Sequence, residues 1–139
     1  MELRKRKHPR LNYYDYRSPG YYYITIHTAP MQPPLSIIKP GPDTTDIALT
    51  SLGEIAKAQL FQLQDRYPSV RIDKFVIMPT HIHMIVQLLI TGQEDTNPSL
   101  PDVICAYKSL TTREMNRTFS TPGQKRFQTS FYESVLRNE

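Results

Sequence analysis

The stretch Phe75-Val76-Ile77-Met78-Pro79-Thr80-His81-Ile82-His83-Met84-Ile85-Val86 decides how this chain folds. Side chains of a strand alternate between its two faces, so His81 and His83 point one way. Ile82, Met84, Val86, Leu88 and Ile90 point the other way as an unbroken apolar stripe. Ahead of it, Val70 to Met78 reads as a second strand, with Ile72, Lys74, Val76 and Met78 alternating against Arg71, Asp73, Phe75 and Ile77. Pro79-Thr80 is a short break between them, and an antiparallel hairpin is expected. Two imidazoles fixed side by side over a core can hold a divalent metal, because neutral imidazole is the commonest protein metal ligand. Taken by itself the spacing is a weak signal, and a pair of histidines that simply hydrogen-bond on a strand stays open.

Working outward, Tyr21 to Thr28 reads as a strand with Tyr22, Ile24 and Ile26 on one face and Tyr23, Thr25 and His27 on the other. His27 is then either a third ligand beside the pair or a partly exposed strand histidine. Between Pro30 and Asp46 lie five of the twelve prolines, so a loop without long regular structure is expected. Ser51-Leu52-Gly53-Glu54 has capping-box spacing and opens a helix. Leu52, Ile55, Ala56, Gln59, Leu60, Leu63 and Tyr67 form its buried face, and Pro68 ends it. A polar loop from Thr91 to Asn97 precedes a second helix, capped by Ser99 and Asp102 with Pro101 in its first turn. Ile104, Tyr107, Leu110 and Met115 mark its buried side, and Lys108, Arg113 and Arg117 can project outward. After the turn Thr121-Pro122-Gly123, Arg126 to Leu136 reads as a final strand or extended segment. The order strand, helix, strand, strand, helix, strand is that of an α+β, ferredoxin-like split βαβ fold: an antiparallel sheet with two helices on one face. His81 and His83 would lie on the face left open.

At 139 residues the chain fits one folded unit, read as residues 21–139, behind a basic and aromatic arm at residues 1–20. No apolar run reaches the ~20 residues of a membrane span, so no membrane partner is expected. The basic start has no apolar segment behind it, so no secretory signal is expected. A lone cysteine, Cys105, excludes an intrachain disulfide and suits the cytoplasm, where it is expected to be a small buried residue on a helix. The net charge of +4 is unevenly spread. Arg4, Lys5, Arg6, Lys7 and Arg10 lie in the arm, interleaved with or close to Tyr13, Tyr14 and Tyr16; Lys108, Arg113, Arg117, Lys125, Arg126 and Arg137 lie in the last quarter. Basic ends around a near-neutral middle point to a polyanion, nucleic acid first, with an ordinary solvated helix face as the alternative.

These features together resemble the single-tyrosine HUH transposases of small insertion sequences, and especially their REP-associated relatives. The resemblance rests on Arg10-Leu11-Asn12-Tyr13-Tyr14-Asp15-Tyr16, Ser18-Pro19-Gly20, Tyr23-Ile24-Thr25-Ile26, Leu52-Gly53-Glu54-Ile55, Phe75-Val76-Ile77-Met78-Pro79, His81-Ile82-His83, Lys108-Ser109, Gln128, Phe131-Tyr132-Glu133 and Arg137-Asn138-Glu139. It implies metal-dependent cutting and joining of single-stranded or hairpin DNA by a monomer or homodimer. His81 and His83 would hold Mg2+ or Mn2+, and Arg4, Lys5, Arg6, Lys7, Arg10, Lys108, Arg113, Arg117, Lys125 and Arg126 would contact DNA. A tyrosine hydroxyl attacks phosphorus in this family, giving a 5′-phosphotyrosine and a free 3′-hydroxyl. That tyrosine belongs to a helix following the Arg-Asn-Glu segment, which here is Arg137-Asn138-Glu139. No catalytic residue is therefore assigned, and the chain is expected to be an incomplete strand transferase lacking that helix. Tyr132 matches a family aromatic that is not the nucleophile, and Tyr107 stands where phenylalanine is common. Thr80, Met84 and Ser134 replace an expected asparagine, glycine and histidine. A non-catalytic DNA-hairpin-binding module and an inactive remnant remain the competing readings.

Overall fold

The structure is a computed structural model describing residues 18–42, 45–92 and 97–136. The arm through Arg17, with its Arg4, Lys5, Arg6, Lys7 and Arg10, lies outside the described residues, as do Arg137, Asn138 and Glu139. Chain order gives β1 (Gly20–His27), β2 (Ser36–Pro40), β3 (Thr45–Leu49), α1 (Ser51–Arg66), β4 (Val70–Ile77), β5 (His81–Leu88), α2 (Leu100–Phe119) and β6 (Tyr132–Leu136). Four strands form an antiparallel sheet in the order β4-β5-β1-β6, the strand order of a ferredoxin-like plan. The expected α+β class and strand–helix rhythm are both present.

The core lies between the sheet and the two helices. Tyr22, Ile24 and Ile26 from β1 and Ile82, Met84, Val86 and Leu88 from β5 are buried. They meet Ala56, Leu60 and Leu63 of α1 and Val103, Ile104, Tyr107 and Met115 of α2. The Tyr107 hydroxyl donates to the Ala56 carbonyl at 2.9 Å, so the helices are joined by a satisfied buried polar group as well as by apolar contact. Ser99 and Asp102 form the expected capping box of α2.

Several expectations need correction. The Pro30–Asp46 region is not wholly irregular: β2 and β3 pair there as a two-stranded ribbon. Pro40 is tolerated because it closes the end of β2, where no further ladder bond is needed. The cap of α1 is Thr50 rather than Ser51, its hydroxyl accepting from the Gly53 amide at 3.2 Å. Cys105 is exposed, since it falls on the solvent side of α2 with Ser109 and Arg113. Ile90 lies beyond the end of β5 and is 81% exposed. Strict alternation also fails in β4, where a bulge between Ile72 and Lys74 leaves Asp73 without a cross-strand partner. The bulge returns Phe75 and Ile77 to the core face already used by Val70 and Ile72. Lys74 and Val76 thereby move to the open face.

One contact sets where α1 begins. The Thr50 amide donates to the Leu35 carbonyl at 2.9 Å, and the Leu35 amide donates to the Pro79 carbonyl at 2.9 Å. The first turn of α1 is pressed onto this carbonyl so closely that a β-carbon at Gly53 would lie 2.0 Å from the Leu35 oxygen. Gly53→Ala therefore is expected to destabilise the fold by about 1–3 kcal/mol despite alanine's better helix propensity. Urea unfolding measures this, and a variant as stable as the parent contradicts the close approach.

Candidate metal and nucleic-acid site

The open face of the sheet is built from residues that alternate with the core. His27 is the cross-strand partner of His81, and Thr25 that of His83. The two motif histidines have ring centroids 4.6 Å apart, and the His27 ring lies 5.5 Å from His81. All three are half-buried. Tyr132 on β6 meets His27 edge to face at 5.7 Å, while Tyr23 stacks on His83 at 5.6 Å.

The His83 ring is fixed on its Nδ1 side, which is 2.9 Å from the Tyr23 hydroxyl and 3.0 Å from Thr25 Oγ1. Either hydroxyl can accept from an Nδ1–H, and that tautomer leaves the lone pair on Nε2 for a ligand. His81 Nδ1 has Thr80 Oγ1 at 3.3 Å. Both motif imidazoles are thus held through the same ring nitrogen. His27 shares their face, but among the described residues no three His, Cys, Asp or Glu side chains converge as a metal cage. His81 and His83 are the two side chains of this face placed closely enough that they could hold a metal ion together.

Burial, followed by the nearby His83 and His27 rings, lowers the His81 pKa from the ordinary 6.5. The folded state thus binds this proton more weakly than the unfolded chain. The stability this contributes is present above about pH 6.5 and is lost as pH falls through the folded value.

Next to His83, residues Tyr23, Lys74, Val76 and Ile85 border a shallow depression of about 210 Å³. Lys74 is an exposed cation on this face that sequence alternation did not place there. The signal was present in the spacing of Val70, Ile72, Phe75 and Ile77, where one interval of three interrupts intervals of two. A bulge is the simplest way to keep all four on one face.

The expected DNA-contacting residues that fall among the described ones separate into different environments. Arg113 is exposed on α2, whereas the exposed Arg117 is paired with Glu114. Lys108 does not project freely: its Nζ donates to the carbonyls of Gln128 and Thr129 at 2.9 and 2.8 Å. Lys125 donates to Thr129 Oγ1 at 3.3 Å, bringing a second lysine to that segment. Arg126 is buried. Tyr107 is also buried, and desolvation raises its pKa strongly, so its hydroxyl is neither accessible nor readily ionised. Tyr132 is 53% exposed beside His27.

A REP-associated tyrosine transposase bound to a REP hairpin superposes on this structure with a TM-score of 0.55 and 17% identity. The match covers 94% of this chain and 62% of that one, so the chain spans less than two thirds of that transposase's length. A candidate transposase from Deinococcus radiodurans R1 superposes with a TM-score of 0.60 and 16% identity, over 92% of this chain and 85% of the other. The chain shares its fold with these two structures. An uncharacterized protein from Haemophilus influenzae is 27% identical, over 99% of this chain and 82% of that protein. No family model matches the sequence. Among the described residues, no helix is long and apolar enough to cross a membrane.

Proton NMR in the presence of a chelator checks the electrostatics of the histidine face. The His81 ring signals are expected to titrate with a midpoint below 6.5, whereas a midpoint at or above 6.5 contradicts the geometry.

Proposed function

We propose that this chain is a transposase-type domain that binds single-stranded hairpin DNA and supplies the electrophilic half of a strand-transfer site. The observation carrying this reading is the pair His81 and His83 on the open sheet face, with the His83 ring anchored by Tyr23 and Thr25. The likeness of the fold to transposases supports it. His81 and His83 are the residues that would hold Mg2+ or Mn2+; their two donors fit an ion that keeps open positions for phosphate and water oxygens. Such an ion, when bound, polarises the phosphate and stabilises charge on its oxygens.

The chain's own groups prepare that surface for a nucleic-acid backbone. Lys74 places a positive charge beside His83, and Tyr23 and Tyr132 offer partly exposed aromatic edges on either side of the histidines. Tyr107 is excluded as an attacking group by burial, and no other tyrosine is assigned that role. This favours one second reading: a DNA-hairpin-binding module that performs no chemistry by itself.

Fluorescence anisotropy with a labelled DNA hairpin carrying a single-stranded flank separates these readings, together with denaturing gels of reactions containing Mn2+. Binding is expected to weaken by orders of magnitude between about 50 and 200 mM salt. Lys74→Glu is expected to weaken it by about tenfold, the scale of one close charge interaction. With Mn2+ present, His81→Ala with His83→Ala is expected to lower affinity for the flanked hairpin. An unchanged affinity in that double variant favours the module without chemistry, and the absence of any hairpin binding rejects both readings. A covalent protein–DNA adduct abolished by the double variant would establish catalysis by this chain.

A further inference from the structure

A cavity of about 590 Å³ lies away from the histidine face, where the segment after β1, the start of α1 and the end of α2 meet. Arg126 lines it and is only 6% exposed. Its Nε donates to Asn116 Oδ1 at 2.9 Å, Nη1 to Gln32 Oε1 at 2.9 Å and Nη2 to Thr121 Oγ1 at 2.8 Å. All three acceptors are neutral. Among the described residues no carboxylate pairs with this guanidinium, although burying a cation without a counter-charge is costly. A guanidinium carries five N–H donors, so two remain beyond those three bonds.

The first turn of α1 borders the same cavity through Thr50, Ser51 and Leu52. Thr50 satisfies the Gly53 amide, while the Ser51 and Leu52 amides have no acceptor among the described residues. Those amides and the helix dipole favour an anion at this end of a sixteen-residue helix. The remaining wall is apolar, with Pro33, Pro34 and a half-exposed Phe119. A small inorganic anion would leave most of this volume unused.

We propose that the cavity binds one unstacked nucleotide of a DNA strand, with its phosphate on Arg126 and the first turn of α1 and its base against Phe119 and the two prolines. This rests on the DNA-binding reading above but uses none of the histidine-face residues. The segment carrying Arg126 adjoins the end of that face: the Ala29 amide donates to the Arg126 carbonyl, and the Gln128 amide to the His27 carbonyl, both at 2.9 Å. A strand crossing the histidines therefore has a second anchoring point at the same end of the sheet.

The test is a titration of the whole chain with 5′-dAMP and, separately, inorganic phosphate, followed by amide and arginine-side-chain NMR. Saturable shifts at Ser51, Leu52 and Arg126 Nε are expected, with dAMP binding tighter than phosphate. Ser51→Asp places a carboxylate at the anion position yet suits the first turn of a helix. It is expected to weaken dAMP by about tenfold or more. Phe119→Ala, an exposed substitution, is expected to weaken dAMP while leaving phosphate unchanged. His81→Ala with His83→Ala is expected to leave dAMP binding intact. No dAMP shifts at these positions, equal binding of dAMP and phosphate, or indifference to Ser51→Asp overturns the proposal. If dAMP binds as expected but hairpin DNA does not, the nucleotide pocket stands and the strand assignment falls. If the hairpin binds and dAMP gives no shift here, this proposal fails alone.

Discussion

The pairing of β1 with β5 must keep two incompatible environments one residue apart. Ile26 opposite Ile82 and Ile24 opposite Met84 fill the core, while His27 opposite His81 and Thr25 opposite His83 form the open face. A slip of one residue in either strand would drive imidazoles into the helix-packed layer and expose the apolar stripe. The large apolar residues on both strands oppose that slip, and so the core itself fixes the register of the candidate site. The histidine spacing is set by the strand pleat.

That constraint also explains what the sequence made legible. β5 alternates without interruption, so its buried and open faces could be read directly from His81 to Leu88. The helices were equally clear from their apolar spacing and from Ser99, Pro101 and Asp102. Alternation misled in β4 because a bulge costs only one ladder position, whereas burying Ile77 and packing Phe75 against the core gains apolar contact. The ribbon of β2 and β3 escaped notice because Ile37, Ile38 and Ile47 are exposed and its prolines suggest a loop. Burial of Arg126 was illegible for a different reason. Its acceptors Gln32, Asn116 and Thr121 come from three separate segments, and nothing local in the sequence marks such a convergence.

The basic residues illustrate how composition and placement differ. The basic C-terminal quarter pointed to a polyanion partner, but the structure uses those cations in distinct ways. Arg117 is paired with Glu114, Lys108 holds the carbonyls before β6, and Arg126 sits beneath a cavity. Lys74, from the near-neutral middle of the chain, reaches the histidine face instead. Overall charge therefore does not say which cation reaches which surface; at Lys74 a backbone irregularity decides it.

We propose that His81 and His83 together hold a divalent ion, with the His83 ring fixed by Tyr23 and Thr25 and the His81 ring beside Thr80. Titrating the chain with substoichiometric Mn2+ and following paramagnetic broadening of assigned NMR signals tests it directly. The account predicts that the His81 and His83 ring signals broaden first and that the His81→Ala, His83→Ala variant loses this selective effect. Uniform broadening, or broadening centred elsewhere in the parent protein, would contradict it.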